Sequence, residues 1–187
     1  MAQTLLDFVG LDLAFIAAAV VILWFTHRPK SWSQGLRGAG LQLFPLPKIA
    51  LDTAKLLAYL MWVAIGVALV TQIFFHDPYT KVKETVEVIS TLPIGIIVYL
   101  FTVRIFTEEL LFRAALVQPL GYRPAAVIFA LAHAGYGSIG QFLGALAAGL
   151  VLGHYYEKNR SIVPTFLAHL LYNIFSAVLT LYTIGHA

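Results

Sequence analysis

The chain has 187 residues, of which 60% are apolar and 11% charged, and its mean hydropathy is +0.84. Soluble domains run to about 45–50% apolar and about 25% charged residues, so both departures point to lipid as the solvent. The chain has no cysteine, which excludes disulfides, thiolate metal sites and a cysteine nucleophile, and its net charge of +3 includes no basic, aromatic-interleaved patch for nucleic acid.

A helix of about 20 apolar residues is long enough to cross a bilayer. The first such run covers 8–26, FVGLDLAFIAAAVVILWFT; the preceding residues lack the basic region of a signal peptide, so this reads as a retained first helix. A polar, Gly-rich loop with Arg28, Lys30 and Arg37 follows, then LFPLPK, where Pro45 and Pro47 are expected to break helix at the membrane interface. A second run covers 53–75 and ends before HDPYTKVKE, a turn at Asp77-Pro78. The third, 86–118, is too long for one perpendicular span, and Pro93 either bends it or marks a second start. A short fourth segment, 123–134, begins at Arg123-Pro124; the fifth is 138–157 and the sixth 161–184. No repeat or linker interrupts them. The expected fold is all-α, a polytopic membrane bundle of about six transmembrane helices forming one domain over 1–187.

Loop Lys and Arg residues give the expected orientation. With the amino terminus outside, the inward loops carry Arg28, Lys30, Arg37, Lys48, Arg123, Lys158 and Arg160, whereas the outward loops carry Lys81 and Lys83. That asymmetry predicts both termini outside, and the basic residues Arg28, Lys30 and Arg123 predict contact with anionic membrane lipids.

Against this apolar background the stretch FTEELLFRAAL, 106–116, demands a reason, because a charge at the bilayer centre costs at least about 2.5 kcal/mol. Glu109 and Arg113 are four apart and can pair on one helix face, while Glu108 points about 100° away. His133 lies in FALAHAGYG one turn after Phe129, and His169 and Asn173 share a face in FLAHLLYN. Three segments thus offer polar groups to one interior site. A desolvated carboxylate suits a general base near neutrality, a histidine across from it could hold the same water, and His169 with Asn173 could donate to an oxyanion. Such a set describes amide hydrolysis without a covalent intermediate.

The strings EELLFR, FALAH and HLLYN, in this order and spacing, resemble the three signature motifs of the CPBP family, the type II CAAX prenyl endopeptidases and their bacterial and archaeal relatives, also called ABI proteins. The stretch between the last two motifs is similar as well, and the likeness covers a catalytic core of 86–175. The resemblance implies an intramembrane protease of the glutamate type. Glu108 and His133 would activate the water, and His169 and Asn173 would form the oxyanion hole. Glu109, Arg113 and Phe129 would support the site. The substrate would be a peptide or protein, prenylated in the founding eukaryotic members, and no cofactor is implied. The chain is shorter than those enzymes, as expected of a prokaryotic relative in the cell membrane.

Rival readings stay beside this one. Glu108 could be the structural partner of Arg104, one turn earlier, and His133 a core histidine bonded to a backbone carbonyl. A zinc-dependent variant is open because Glu108, Glu109, His133 and His169 are all ligand types, though no H-E-x-x-H is present. Ser138 as a nucleophile lacks a recognised elbow. A non-catalytic immunity or partner-binding membrane protein would keep the motifs for structure. A carrier is the weakest alternative, for want of paired inverted repeats. In the fifth segment Gly144, Ala148, Gly149 and Gly153 are expected to permit close helix packing, with His154, Tyr155 and Tyr156 at the interface.

Overall fold

A computed structural model describes residues 2–29, 31–42, 44–75 and 80–185, with side chains except those of 2–8, Trp32, Thr80 and Tyr136. Lys30 and the Asp77-Pro78 turn lie outside the described residues. Those described form helices and turns alone.

Helix α1 is Ala2–His27, and a short α2, Trp32–Gly38, lies in the loop that follows. Helix α3, Leu46–Val70, continues into a π-helical turn at Thr71–Phe75. It starts seven residues before the expected 53, and Pro45 and Pro47 begin it rather than break helix. Pro45 is its N-cap and Pro47 sits in its first turn, where a missing N–H costs no intrahelical bond. Helix α4 is Thr80–Ser90, and Pro93 caps the next element, so that proline marks a second start.

From there the backbone stays helical but changes pitch twice. Helix α5 (Ile94–Tyr99) passes through a π turn (Leu100–Arg104) into α6 (Ile105–Glu109), then through another π turn (Leu110–Ala115) to α7 (Val117–Leu120). Gly121, at φ 83°, takes the chain from α7 into α8, Tyr122–Ala132, in a conformation a side chain would strain. Helix α9 is Ile139–Asn159 and α10 is Ile162–Gly185.

Three stretches are long and apolar enough to cross a membrane: Val9–His27, Leu46–Phe75 and Ile162–Gly185. That is fewer than the six expected among the described residues. The stretch from Ile94 to Leu120 is divided by its π turns and carries four charges, and α8 has only 11 residues.

Packing is closest between α8 and α9. A methyl group on Gly149 would come within 3.0 Å of Ala126 Cβ, and one on Gly153 within 3.1 Å of Tyr122 Cβ. Gly144 faces no atom within 4 Å, so the close-packing role expected of it is not realised. Nor is Tyr156 interfacial: it is fully buried, with Gln118 Nε2 donating to its hydroxyl at 3.1 Å. Tyr155 donates to Asp52 Oδ2 of α3 at 2.7 Å. One apolar cluster joins Ala19 of α1, Phe112, Phe129 and Ala145 of α9; another joins Leu56 and Leu60 of α3 to Leu152 and Ala168. The charged residues of α6 lie between α1 and α10, beside the first of these clusters.

Candidate active site

Five residues of α6 put two carboxylates on different faces. Both are withdrawn from lipid, Glu109 completely and Glu108 with 7% of its surface exposed.

On the Glu109 side, Oε1 stands 3.4 Å from Arg113 Nη2 and 2.9 Å from His169 Nδ1 of α10. An ionised carboxylate only accepts, so the shared hydrogen belongs to Nδ1 and His169 presents Nε2 on its far side. Arg113 is completely buried and lies over the Phe129 ring at 4.5 Å, with none of its nitrogens in a hydrogen bond. Its charge is balanced by Glu109 and by the π face of Phe129. Phe129 also meets the ring of His133 at 4.4 Å and that of His169 at 6.0 Å, so one aromatic side chain spaces both histidines.

On the Glu108 side lies a cavity of about 210 Å³. Its polar lining is Arg104, Glu108 and His133; Leu11, Phe15, Phe112 and Ala132 close it. His133 ends α8, and its Nδ1 is 2.8 Å from the Phe129 carbonyl oxygen. A carbonyl only accepts, so Nδ1 carries the hydrogen and Nε2 the lone pair. The bond expected of a core histidine is therefore present, on a residue that also lines the cavity with Glu108.

Arg104 does reach Glu108: its Nε donates to Oε1 at 3.1 Å. The same guanidinium donates from Nη1 to Asp12 Oδ1 of α1 at 2.9 Å and lies 4.9 Å from the Phe15 ring centroid. Asp12, 2% exposed, further accepts from Tyr99 at 2.6 Å and Thr107 at 2.8 Å. The sequence reading passed over Asp12. The signal was there, an acidic residue inside the apolar run 8–26, and it is the same one that drew attention to Glu108.

The candidate residues thus fall into two adjoining sets, Glu108 with His133 at the cavity and Glu109 with Arg113 and His169 behind it. Asn173, half-buried one turn beyond His169, is not part of the cavity wall. This division also separates the potential zinc ligands: among the described residues no three His, Asp or Glu side chains converge as a metal would require. Ser138 is the N-cap of α9, its hydroxyl accepting from Gln141 N at 3.2 Å.

Comparison with known proteins agrees with the motifs. No curated protein and no solved structure matches the chain. A family model described as type II CAAX prenyl endopeptidase Rce1-like matches residues 89–175, from the end of α4 into α10, which takes in both carboxylates of α6, both histidines and Asn173. Over that stretch, just under half of its length, the chain is similar to the Rce1-like family of type II CAAX prenyl endopeptidases.

Proposed function

We propose that the protein is an intramembrane endopeptidase of the glutamate type, hydrolysing a peptide bond near the membrane surface. The observation that carries this reading is the meeting of Glu108 and His133, 25 positions apart in sequence, on the wall of one cavity. Its volume of about 210 Å³ has room for several waters, each of which occupies about 30 Å³ in the liquid.

In this reading a water lies between Glu108 and the Nε2 lone pair of His133. Glu108 takes a proton from it as its oxygen attacks the carbonyl carbon, and later returns that proton to the leaving amine as the C–N bond breaks. His133 accepts the water's second hydrogen bond and aims its lone pair. The family resemblance assigns the charge developing on the carbonyl oxygen to His169 and Asn173 from α10; neither lines the cavity, so the substrate carbonyl has to extend beyond it to meet them. With Nδ1 committed to Glu109, His169 donates from Nε2 only when its ring carries both protons, and Glu109 balances the charge. Glu109, Arg113 and Phe129 hold the ring in place rather than touch the substrate.

The family description makes a prenylated CAAX-type peptide the substrate to try first. About six membrane-crossing segments, three of them shorter or more polar than the long apolar helices, complete the proposed bundle. Exposed Arg28 and Arg123 would contact anionic lipid headgroups.

One observation favours a second reading. The Arg104–Glu108 ion pair is what a non-catalytic membrane protein, for immunity or partner binding, would retain for structure. The test is cleavage in lipid of a fluorogenic prenylated CAAX peptide by the wild type and by Glu108→Gln, each repeated with a chelator. The glutamate mechanism gives cleavage that survives the chelator and disappears in the variant. Equal cleavage by both proteins would sink it, and loss of cleavage on chelation would transfer it to a metal.

A further inference from the structure

We propose that Asp12 is a positioning residue for Glu108, acting through Arg104, so that a helix outside the family-matched stretch helps to set the catalytic geometry. This rests on Glu108 being the base.

Left to itself, an arginine one turn before a glutamate does not fix it. The side chain is long, rich in rotamers, and pairs of this spacing on a helix surface stabilise by only about 0.2–0.5 kcal/mol. Arg104 is not left to itself. Asp12 and Phe15, three apart on one face of α1, take the guanidinium from two directions, by a hydrogen bond at 2.9 Å and by ring contact at 4.9 Å.

Asp12 is in turn fixed on both oxygens. Oδ1 accepts from Thr107 at 2.8 Å as well as from Arg104, and Oδ2 accepts from Tyr99 at 2.6 Å. Tyr99, Arg104 and Thr107 all belong to the stretch that carries Glu108, so Asp12 ties α1 to it at three points around one carboxylate. The result is a chain of bonds in which Asp12 holds Arg104 and Arg104 Nε holds Glu108 Oε1. With Oε1 occupied, Oε2 is the oxygen offered to the water. Asp12 itself does not line the cavity, so its action on the chemistry is indirect.

A merely structural Asp12, a tether for α1, predicts something different, and two measurements on the full chain in lipid nanodiscs separate the roles. The first uses ¹⁵N-arginine NMR, with the Arg104 Nε–H signal identified by its loss in Arg104→Lys. In the wild type and in Glu84→Gln, a control on α4 outside this network, that signal should be discrete. In Asp12→Asn it should collapse to the averaged position of exposed arginines. An unshifted, discrete signal in Asp12→Asn would overturn the proposal.

The second is a kinetic cycle with the fluorogenic CAAX peptide. Asp12→Asn should lower kcat by about 10²-fold with KM almost unchanged, the size of effect that a misplaced catalytic group produces. Adding it to Arg104→Gln should cost nothing more, because the path to Glu108 is already cut; independent, multiplying losses would overturn the proposal. Cleavage by Glu108→Gln equal to the wild type, or none by the wild type, would instead bring down the protease reading, and the NMR measurement would still decide the role of Asp12.

Discussion

Glu109 and His169 are 60 residues apart in sequence, and the structure joins them at 2.9 Å in a fully buried contact that also includes Arg113. The contact couples α6 to α10. It brings a charge-bearing group onto the back of the histidine ring assigned to the oxyanion, so disturbing it should affect folding and turnover separately.

Stability is the first place to look. Arg113→Met leaves the buried Glu109 carboxylate without its arginine, and removing one member of a buried pair typically costs about 3–5 kcal/mol. The double variant Glu109→Gln/Arg113→Met should recover most of that loss. Melting in detergent micelles measures both, and a double variant no more stable than the single one would contradict the pairing.

At the cavity, Glu108→Gln should leave the melting temperature within a few degrees of the wild type while removing cleavage. His133→Ala should lower kcat by about 10²–10⁴-fold, the usual contribution of acid–base assistance. A His133→Ala variant with wild-type turnover would show that the Phe129 carbonyl bond is the whole purpose of that histidine.

Asn173→Ala bears on the oxyanion assignment. Loss of one donor to a developing oxyanion typically costs about 10²–10³-fold in kcat, with substrate binding little changed. A rise in KM at constant kcat would instead make Asn173 a binding contact.

The two glycine environments of α9 give a test in opposite directions. Gly149→Ala forces a methyl group to within 3.0 Å of Ala126 and should destabilise by about 1–3 kcal/mol. Gly144→Ala meets open space and should stabilise by up to about 1 kcal/mol through helix propensity. Paired unfolding measurements check both, and equal effects would contradict the packing of α8 on α9.

The motif residues were legible in the sequence because lipid makes polar side chains costly, so Glu108, Glu109, Arg113 and His169 stood out from their surroundings. The same reasoning set the limits of the last two helices to within two residues. It misjudged Pro45 and Pro47, since proline within the first turn and proline inside a helix look alike until the start of the helix is known. It missed α2, whose seven residues, WSQGLRG, have no apolar period. Asp12 escaped because its significance is tertiary: only with α1 beside α6 does an isolated aspartate meet Tyr99, Arg104 and Thr107. The placement of Tyr156 had the same cause. A tyrosine near a helix end suggests the interface until Gln118 of α7 is found beside it.

The π turns on either side of α6 give this region a tolerance of chain length that an ordinary helix lacks. In the second of them Leu116 N donates to Leu111 O, a bond that spans one residue more than an α-helical one. Deleting a single residue between these two would turn that bond into an α-helical one between the same groups, so α7 and α8 would keep their phase relative to Glu109. The same deletion in an α-helical stretch would turn everything downstream by about 100°. What the deletion would change is local, the residues of the turn itself, with Arg113 on the Phe129 ring among them. Among relatives of this chain, a one-residue gap at this point is therefore compatible with an unchanged placement of His133 and His169.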